Sequence, residues 1–362
     1  MSAEEGPPPE DSEASAPARP PRARWLRRAL LLLLLLGLLA GGGYRLLEYD
    51  FDRPADPGRS GKALFRVRPG SGLGQVARSL GEKGLIRNPL LFRLQVRLRG
   101  GARRIRSGFY RFSPAMPPRR IYQDLIEGRV ATATVTFPEG SNLREIAAAL
   151  ERAGLAGRAE VLALARDPAL LSRLKAGGDS LEGYLFPDTY RFPLGTPPAE
   201  ILRVMADTMR RKVDASLLRR AAGRGLTLHQ VLTLASIVEK ETSVEAERPL
   251  IAAVFLNRLK RKMRLQSDPT VIYALPRFDG NLRRSDLAYD SPYNTYRVRG
   301  LPPGPIANPG LASIRAVLHP APVAHLYFVA TQKGGHKFSR TYREHQRAVA
   351  RYQLWKRGKV DR

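Results

Sequence analysis

The chain has 362 residues, long enough for two or more domains with cores of their own. It has no cysteine, which excludes disulfides, thiolate metal sites, a cysteine nucleophile and a lipid-modified N-terminal Cys. Its net charge of +28 favours polyanionic partners, but the basic residues are spread along the chain without aromatic interleaving, so nucleic acid is not expected among them.

Residues Met1 to Pro21 are rich in Pro, Glu, Ser and Ala and cannot bury a core, so a disordered tail over 1–28 is predicted. An uncharged run from Ala29 to Tyr44 follows. Leu46 and Leu47 lengthen it and Arg28 and Arg45 can snorkel, which makes a membrane-spanning helix over 29–47 feasible. Arg22, Arg24, Arg27 and Arg28 precede the run, and Glu48, Asp50 and Asp52 follow it. That asymmetry predicts a cytoplasmic N-terminus and an extracytoplasmic remainder. A cleaved signal peptide is the alternative, since Ala40 and the following glycines suit a peptidase. The long acidic preamble and the Leu46-Leu47 extension favour an uncleaved anchor. Either placement weakens readings that need ATP.

Residues 48–62 read as a polar linker. Phe65 to Ile86 then lines up with Val135 to Ala156. Gly70, Ser71, Leu73, Val76 and Leu80 match Gly140, Ser141, Leu143, Ile146 and Leu150. Each copy predicts a strand, a glycine turn, a serine cap and an amphipathic helix. Such units suit polymer binding, and equally suit a common supersecondary unit used twice. Arg158 to Leu174 has a helical pattern. Ser180 to Thr196, dense in aromatics, Pro and Gly, carries Glu182, Tyr184 and Asp188 and is either a packed connector or a sugar-binding segment. A helix is predicted from Pro198 to Ala215.

In GLTLHQVLTLASIVEKET, Thr227 and Gln230 form a capping box. At about 100° per residue, Val231, Leu232, Ala235 and Glu239 all fall within about 60° of Leu228, whereas Lys240 and Glu241 point to the flanks or outward. Glu239 is therefore aimed at the core face. A carboxylate there is costly unless paired, protonated or lining a cleft. Desolvation would raise its pKa towards that of a general acid, while an Arg or backbone amides would make it a structural residue. Both readings stay open on geometry.

Glu245 to Lys262 predicts a long helix carrying Asn257 at its side. Gln266, Asp268 and Thr270 follow at a turn. Asp290 to Gly310, with Asn294 and Tyr296, is a loop whose residue types furnish carbohydrate grooves or simply pack. A hairpin around Lys333-Gly334-Gly335 and a helix from Thr341 complete the chain. The five histidines are scattered with no metal-pair spacing, so no metal and no cofactor are expected. Ser236 and Lys240 lack the spacing and companion motifs of a Ser-Lys dyad, and there is no phosphate loop or nucleophile elbow. Binding without chemistry remains the second class of function.

LASIVEKET, the FLNRL around Asn257, RLQSDPTVIY, YNTY and GLPPGPIANPG, in that order, closely resemble the YceG-like family of endolytic murein transglycosylases, as do EGYLFPDTY upstream and the YFVA and GGH segments downstream. The resemblance implies an α+β protein: an inner-membrane anchor helix, a LysM-like strand-helix subdomain over 63–130 and a mixed α/β catalytic domain over 131–357. It implies cleavage of the bond between N-acetylmuramic acid and N-acetylglucosamine within nascent strands, without water, leaving 1,6-anhydromuramic ends. It makes Glu239 the catalytic acid/base. On motif match, Asn257, Gln266, Asp268, Asn294, Tyr296, Tyr184 and Glu182 are the expected substrate-binding residues. Peptidoglycan strands, the cytoplasmic membrane and peptidoglycan synthases are the implied partners. A lytic enzyme needs only one acid/base, because its nucleophile is in the substrate. A muramidase-type hydrolase would need a second carboxylate, for which Asp268, Glu182 and Asp188 are the candidates. A non-catalytic wall-binding anchor is the remaining alternative.

Overall fold

The computed structural model describes residues 22–332 and 334–353. Residues 1–21 of the predicted disordered tail over 1–28, the hairpin residue Lys333 and the last residues of the expected 131–357 domain lie outside them, whereas residues 22–28 of that tail are helical and continuous with the apolar run. The chain divides into two compact units, Met1–Arg129 and Val130–Arg362, and is of mixed α+β type.

The first unit begins with α1 (Arg22–Asp52), which contains a segment, Trp25–Asp52, long and apolar enough to cross a membrane. There follow β1 (Ala63–Val67), α2 (Leu73–Glu82), α3 (Pro89–Leu98), β2 (Gly108–Phe112) and α4 (Pro118–Glu127). β1 pairs antiparallel with β2, Phe65 opposite Tyr110. The expected linker over 48–62 is shorter than its polarity indicates, because the helix runs through Asp52. Phe51 is buried, with its ring 6.0 Å from Phe92 and 5.9 Å from Tyr122. Glu48 is paired with Arg99 and Arg119, and Asp52 with Arg119. Sequence alone showed charge here, and not that α3 and α4 supply the opposite charges.

The second unit runs β3 (Thr132–Thr136), α5 (Leu143–Arg152), α6 (Arg158–Leu164), α7 (Pro168–Arg173), β4 (Thr189–Pro193), α8 (Pro198–Lys212), α9 (Ala215–Gly223) and α10 (Leu228–Glu241). It continues with a 3-10 turn (Glu245–Glu247), α11 (Arg248–Lys260), α12 (Asp268–Ala274), a second 3-10 turn (Asp286–Ala288), α13 (Leu311–Leu318), β5 (Tyr327–Ala330), β6 (His336–Ser339) and α14 (Tyr342–Tyr352). β3 pairs antiparallel with β4, and β5 with β6. The Ser180 to Thr196 segment, read as either a packed connector or a sugar-binding segment, thus contributes a strand. The helix expected from Glu245 begins as a 3-10 turn, and the one expected to reach Ala215 stops at Lys212, where Asp214 caps the next.

The two similar stretches do form the same unit. Gly70 and Gly140 turn the chain at φ of 77° and 78°, and Gly84 and Gly154 end the helices at 65° and 67°. These are left-handed conformations in which a side chain is strained. The serines are not the caps. The helices start one residue later, at Gly72 without a side-chain bond and at Asn142 in a capping box with Glu145. The core of the second unit is built around α10, which packs against α11 and α13. Every residue from Val231 to Val238 is buried, so this helix is covered nearly all round rather than along one stripe. Its polar members are satisfied internally. The Thr233 hydroxyl donates to the His229 carbonyl, and Ser236 to that of Thr233.

Candidate active site

The capping box of Thr227 and Gln230 starts α10, and the helix delivers Glu239, Lys240 and Glu241 in its last turn. The Glu239 side chain is only 5% exposed. Its two oxygens accept from the Arg248 guanidinium at 3.1 Å and from the Gly310 amide at 2.9 Å. Those are the partners that a buried structural carboxylate requires. Glu239 also lines a cavity of about 430 Å³ together with Glu139, Gly140, Lys240 and Arg248. Burial holds Glu139 above the usual carboxylate range, and the charge of Glu239 adds to the shift. Sequence reasoning passed over Glu139. Its one signal was its place in the repeated unit, where it stands opposite Pro69 of the first copy.

Glu241 is not a solvated flank. The turn before α12 closes over the end of α10, and the Ser267 hydroxyl donates to Glu241 Oε1. Burial pushes the Glu241 pKa up to about 7. The Ser267 hydrogen bond opposes the rise, the nearby Asp268 charge adds to it, and Arg258 opposes it. Glu241 lines the cavity just described and also a second one of about 500 Å³, with Arg258, Gln266, Asp268 and Tyr296. It is the shared wall of two openings.

The surroundings of Glu241 are firmly held. Gln266 sits at φ 50°, a conformation sparsely populated by side-chain-bearing residues, and its amide donates to the Thr295 carbonyl at 3.1 Å. The Tyr296 hydroxyl donates to Asp268 Oδ1 at 2.5 Å. Arg258 is buried, donates to the carbonyls of Leu326 and Leu265, and lies 5.3 Å from the centre of the Tyr327 ring. Its desolvation lowers its pKa.

Gln266, Asp268 and Tyr296 therefore stand together with Glu241, and Glu239 adjoins them. The other expected substrate-binding residues form the framework. Asn257 donates to the carbonyls of Val323 and His325. Asn294 is wholly buried and clasps those of Leu287 and Tyr289. Tyr184 is buried, its hydroxyl bonded to His229 Nδ1 at 2.8 Å and to the Gly177 amide. Glu182 is 2% exposed and accepts from the Leu143 amide, the Asn308 side chain and the Tyr273 hydroxyl. Burial carries its pKa to about 8, with the Leu143 and Tyr273 hydrogen bonds opposing. Asp188 bonds to the Thr189 amide. Besides Glu239, which the sequence aimed at the core, Glu182 and Glu241 are also withdrawn from water. Among the described residues no three His, Asp or Glu side chains are grouped to hold a metal ion.

The sequence pattern of the YceG-like family matches residues 65–351. A protein of Bacillus subtilis (strain 168) named endolytic murein transglycosylase is 34% identical over 331 residues, covering 87% of this chain and 91% of that protein. One of the same name from Streptococcus pneumoniae serotype 2 (strain D39 / NCTC 7466) is 29% identical over 349 residues, with 87% of this chain and 63% of that protein covered. The 2.6 Å crystal structure of a yceG-like protein from Listeria monocytogenes superposes with a TM-score of 0.56 at 34% identity. The match covers 80% of this chain and 99% of the other.

Proposed function

The chain belongs to the YceG-like family, and we propose that it is an endolytic murein transglycosylase whose acid/base is Glu241. The observation that carries this reading is the position of Glu241 at the junction of two open cavities. Internal cleavage needs room for sugars on both sides of the scissile bond, and a carboxyl group near pKa 7 can give a proton and take one back. Glu239, the acid/base that the family resemblance implies, lines one of these cavities with its oxygens engaged by Arg248 and Gly310, and is the second candidate for the role.

The proton on Glu241 passes to the oxygen leaving the muramic residue as the C1–O bond breaks. The resulting carboxylate takes the proton of the C6 hydroxyl, and O6 closes onto C1. No water is consumed, so the two products together have the mass of the intact strand. Asp268, held by Tyr296, keeps negative charge near C1, where positive charge develops. The same Asp268 keeps a muramidase reading alive, since a second carboxylate near the acid could activate water.

The remaining parts fit a tethered enzyme. α1 is the anchor of a single-pass inner-membrane protein. The arginines before its apolar run and the acids after that run support a cytoplasmic N-terminus and an extracytoplasmic second unit. The order β1, α2, α3, β2 supports the LysM-like assignment of 63–130, with catalysis in 131–357. Peptidoglycan synthases are the proposed neighbours at the membrane. The test is product analysis. The full chain in detergent is given uncrosslinked glycan strands, and the new muramic ends are weighed. Internal ends lighter by one water than reducing ends are expected. Reducing ends would replace this mechanism with hydrolysis, and no new ends at all would leave a wall-binding protein.

A further inference from the structure

A third cavity in the second unit, of about 490 Å³, plays no part in the chemistry above. Its walls carry Arg144, Arg166, Tyr273 and Tyr293, with Leu143 and Leu162 beside them and Glu182 at its floor. Among the described residues, neither Arg144 nor Arg166 forms an ion pair or a side-chain hydrogen bond, and the Tyr293 hydroxyl has no partner either. In contrast, the Tyr273 hydroxyl is spent on Glu182, which fixes its ring 5.1 Å from that of Tyr293 at an angle of 52°. Asp179 is the acid at the rim. Glu182 is already engaged by the Leu143 amide, the Asn308 side chain and the Tyr273 hydroxyl, so the two guanidiniums face a single exposed acid.

The cavity also lies within reach of the groove. Gly140 lines the Glu139–Glu239 opening and Leu143 this one, three residues further along one loop, a span of at most about 11 Å. α12 joins the same places from the other side. Asp268 lines the Glu241 cavity and Tyr273 this one, a rise of about 7.5 Å along the helix. A five-residue peptide reaches about 17 Å when extended.

We propose that this cavity binds the peptide stem of the glycan strand, with Arg144 and Arg166 holding a stem carboxylate and the paired tyrosines and Leu162 covering its apolar carbons. The ligand class is a short carboxylate-bearing peptide attached to a sugar, and this assignment rests on the glycan-cleaving reading of the groove. Paired guanidiniums suit a carboxylate because their planar N–H groups can bind both oxygens.

The experiment compares uncrosslinked strands that keep their stems with strands whose stems have been removed by amide hydrolysis. Both are given to the full chain and to an Arg144→Ala/Arg166→Ala variant. The wild type is expected to favour stemmed strands about tenfold in kcat/KM, through KM, which corresponds to one good charge-assisted contact. In the variant that preference collapses, while the product remains an anhydro end. Free stem peptide should inhibit the wild type, and peptide with its carboxylates amidated should not. Equal use of both strands by the wild type, or a preference that survives in the variant, overturns the proposal. Should the wild type cleave neither strand, the enzymatic reading fails instead. Pull-down of the two strand types by the unreactive Glu241→Gln chain then decides the stem site alone: stronger retention of stemmed strands, lost with the arginines, supports it, and equal retention removes it.

Discussion

The hydroxyl of Ser267 donates to Oε1 of Glu241, across the gap between the end of α10 and the turn that opens α12. That bond leaves Oε2 as the oxygen free to carry the transferred proton. Glu241→Gln keeps the shape and an acceptor for Ser267 and removes the acid. We expect it to lower anhydro-end formation about a thousandfold or more with the fold retained, measured by product mass and circular dichroism. Glu239→Gln should lose far less activity, but about 1–3 kcal/mol of stability, because Arg248 is left without its closest charge partner. The reverse ranking would return the catalytic role to Glu239.

Activity should depend on pH in a specific direction. In the proposed mechanism Glu241 acts from its protonated form, so kcat/KM is expected to fall as pH rises through about 7. The Asp268 charge contributes to that raised value. Asp268→Asn should therefore move the falling limb down by about one pH unit, whatever it does to the maximum rate. A limb that stays in place would show that another group controls it.

Much of this site was readable from sequence, and the unread part has a physical reason. The capping box and the apolar spacing of α10 located Glu239 on the core side, where it lies. A helical wheel counts only the neighbours on one helix. The burial of Glu241 comes from Ser267, 26 residues on, so the wheel left it outside. Asn257 and Asn294 look the same in sequence whether they hold a sugar or clasp loop carbonyls. Here they clasp carbonyls, Asn257 those in the segment between α13 and β5 and Asn294 those at the second 3-10 turn, where no ladder satisfies the backbone. Glu139 escaped notice because its neighbours are distant in sequence.

Glu182 should govern how stability varies with pH. Its carboxyl has a pKa of about 8 in the folded protein against 4.5 as the ordinary value. Between those values the folded state holds a proton that the unfolded state releases, so stability declines as pH rises from about 4.5 to 8. Glu182→Gln cannot ionise and should flatten that decline by about 2–4 kcal/mol across the range. Unfolding midpoints of the two proteins at pH 5 and pH 8.5 check it, and parallel curves would mean that Glu182 is already ionised at neutral pH.

Gly183 tests the packing that frames the groove. Its φ is 82°, and a methyl group there would come within 2.3 Å of the Pro305 ring. Gly183→Ala adds both strain and a clash with a stiff side chain, and about 2–4 kcal/mol of destabilisation is expected. A variant that melts at the wild-type temperature would show that the 301–306 loop yields easily.

The burial of Phe51 between α3 and α4 also changes what an insertion would do. A flexible tether of extra residues adds slack. In α1, which runs unbroken from the apolar segment into that packing, each extra residue adds about 1.5 Å and turns the rest of the first unit by about 100° about the helix axis. With α1 as the proposed membrane anchor, one alanine placed after Tyr44 would swing the first unit to a new bearing against the lipid surface, and about three or four would nearly restore it. Such a helix sets a heading as well as a height.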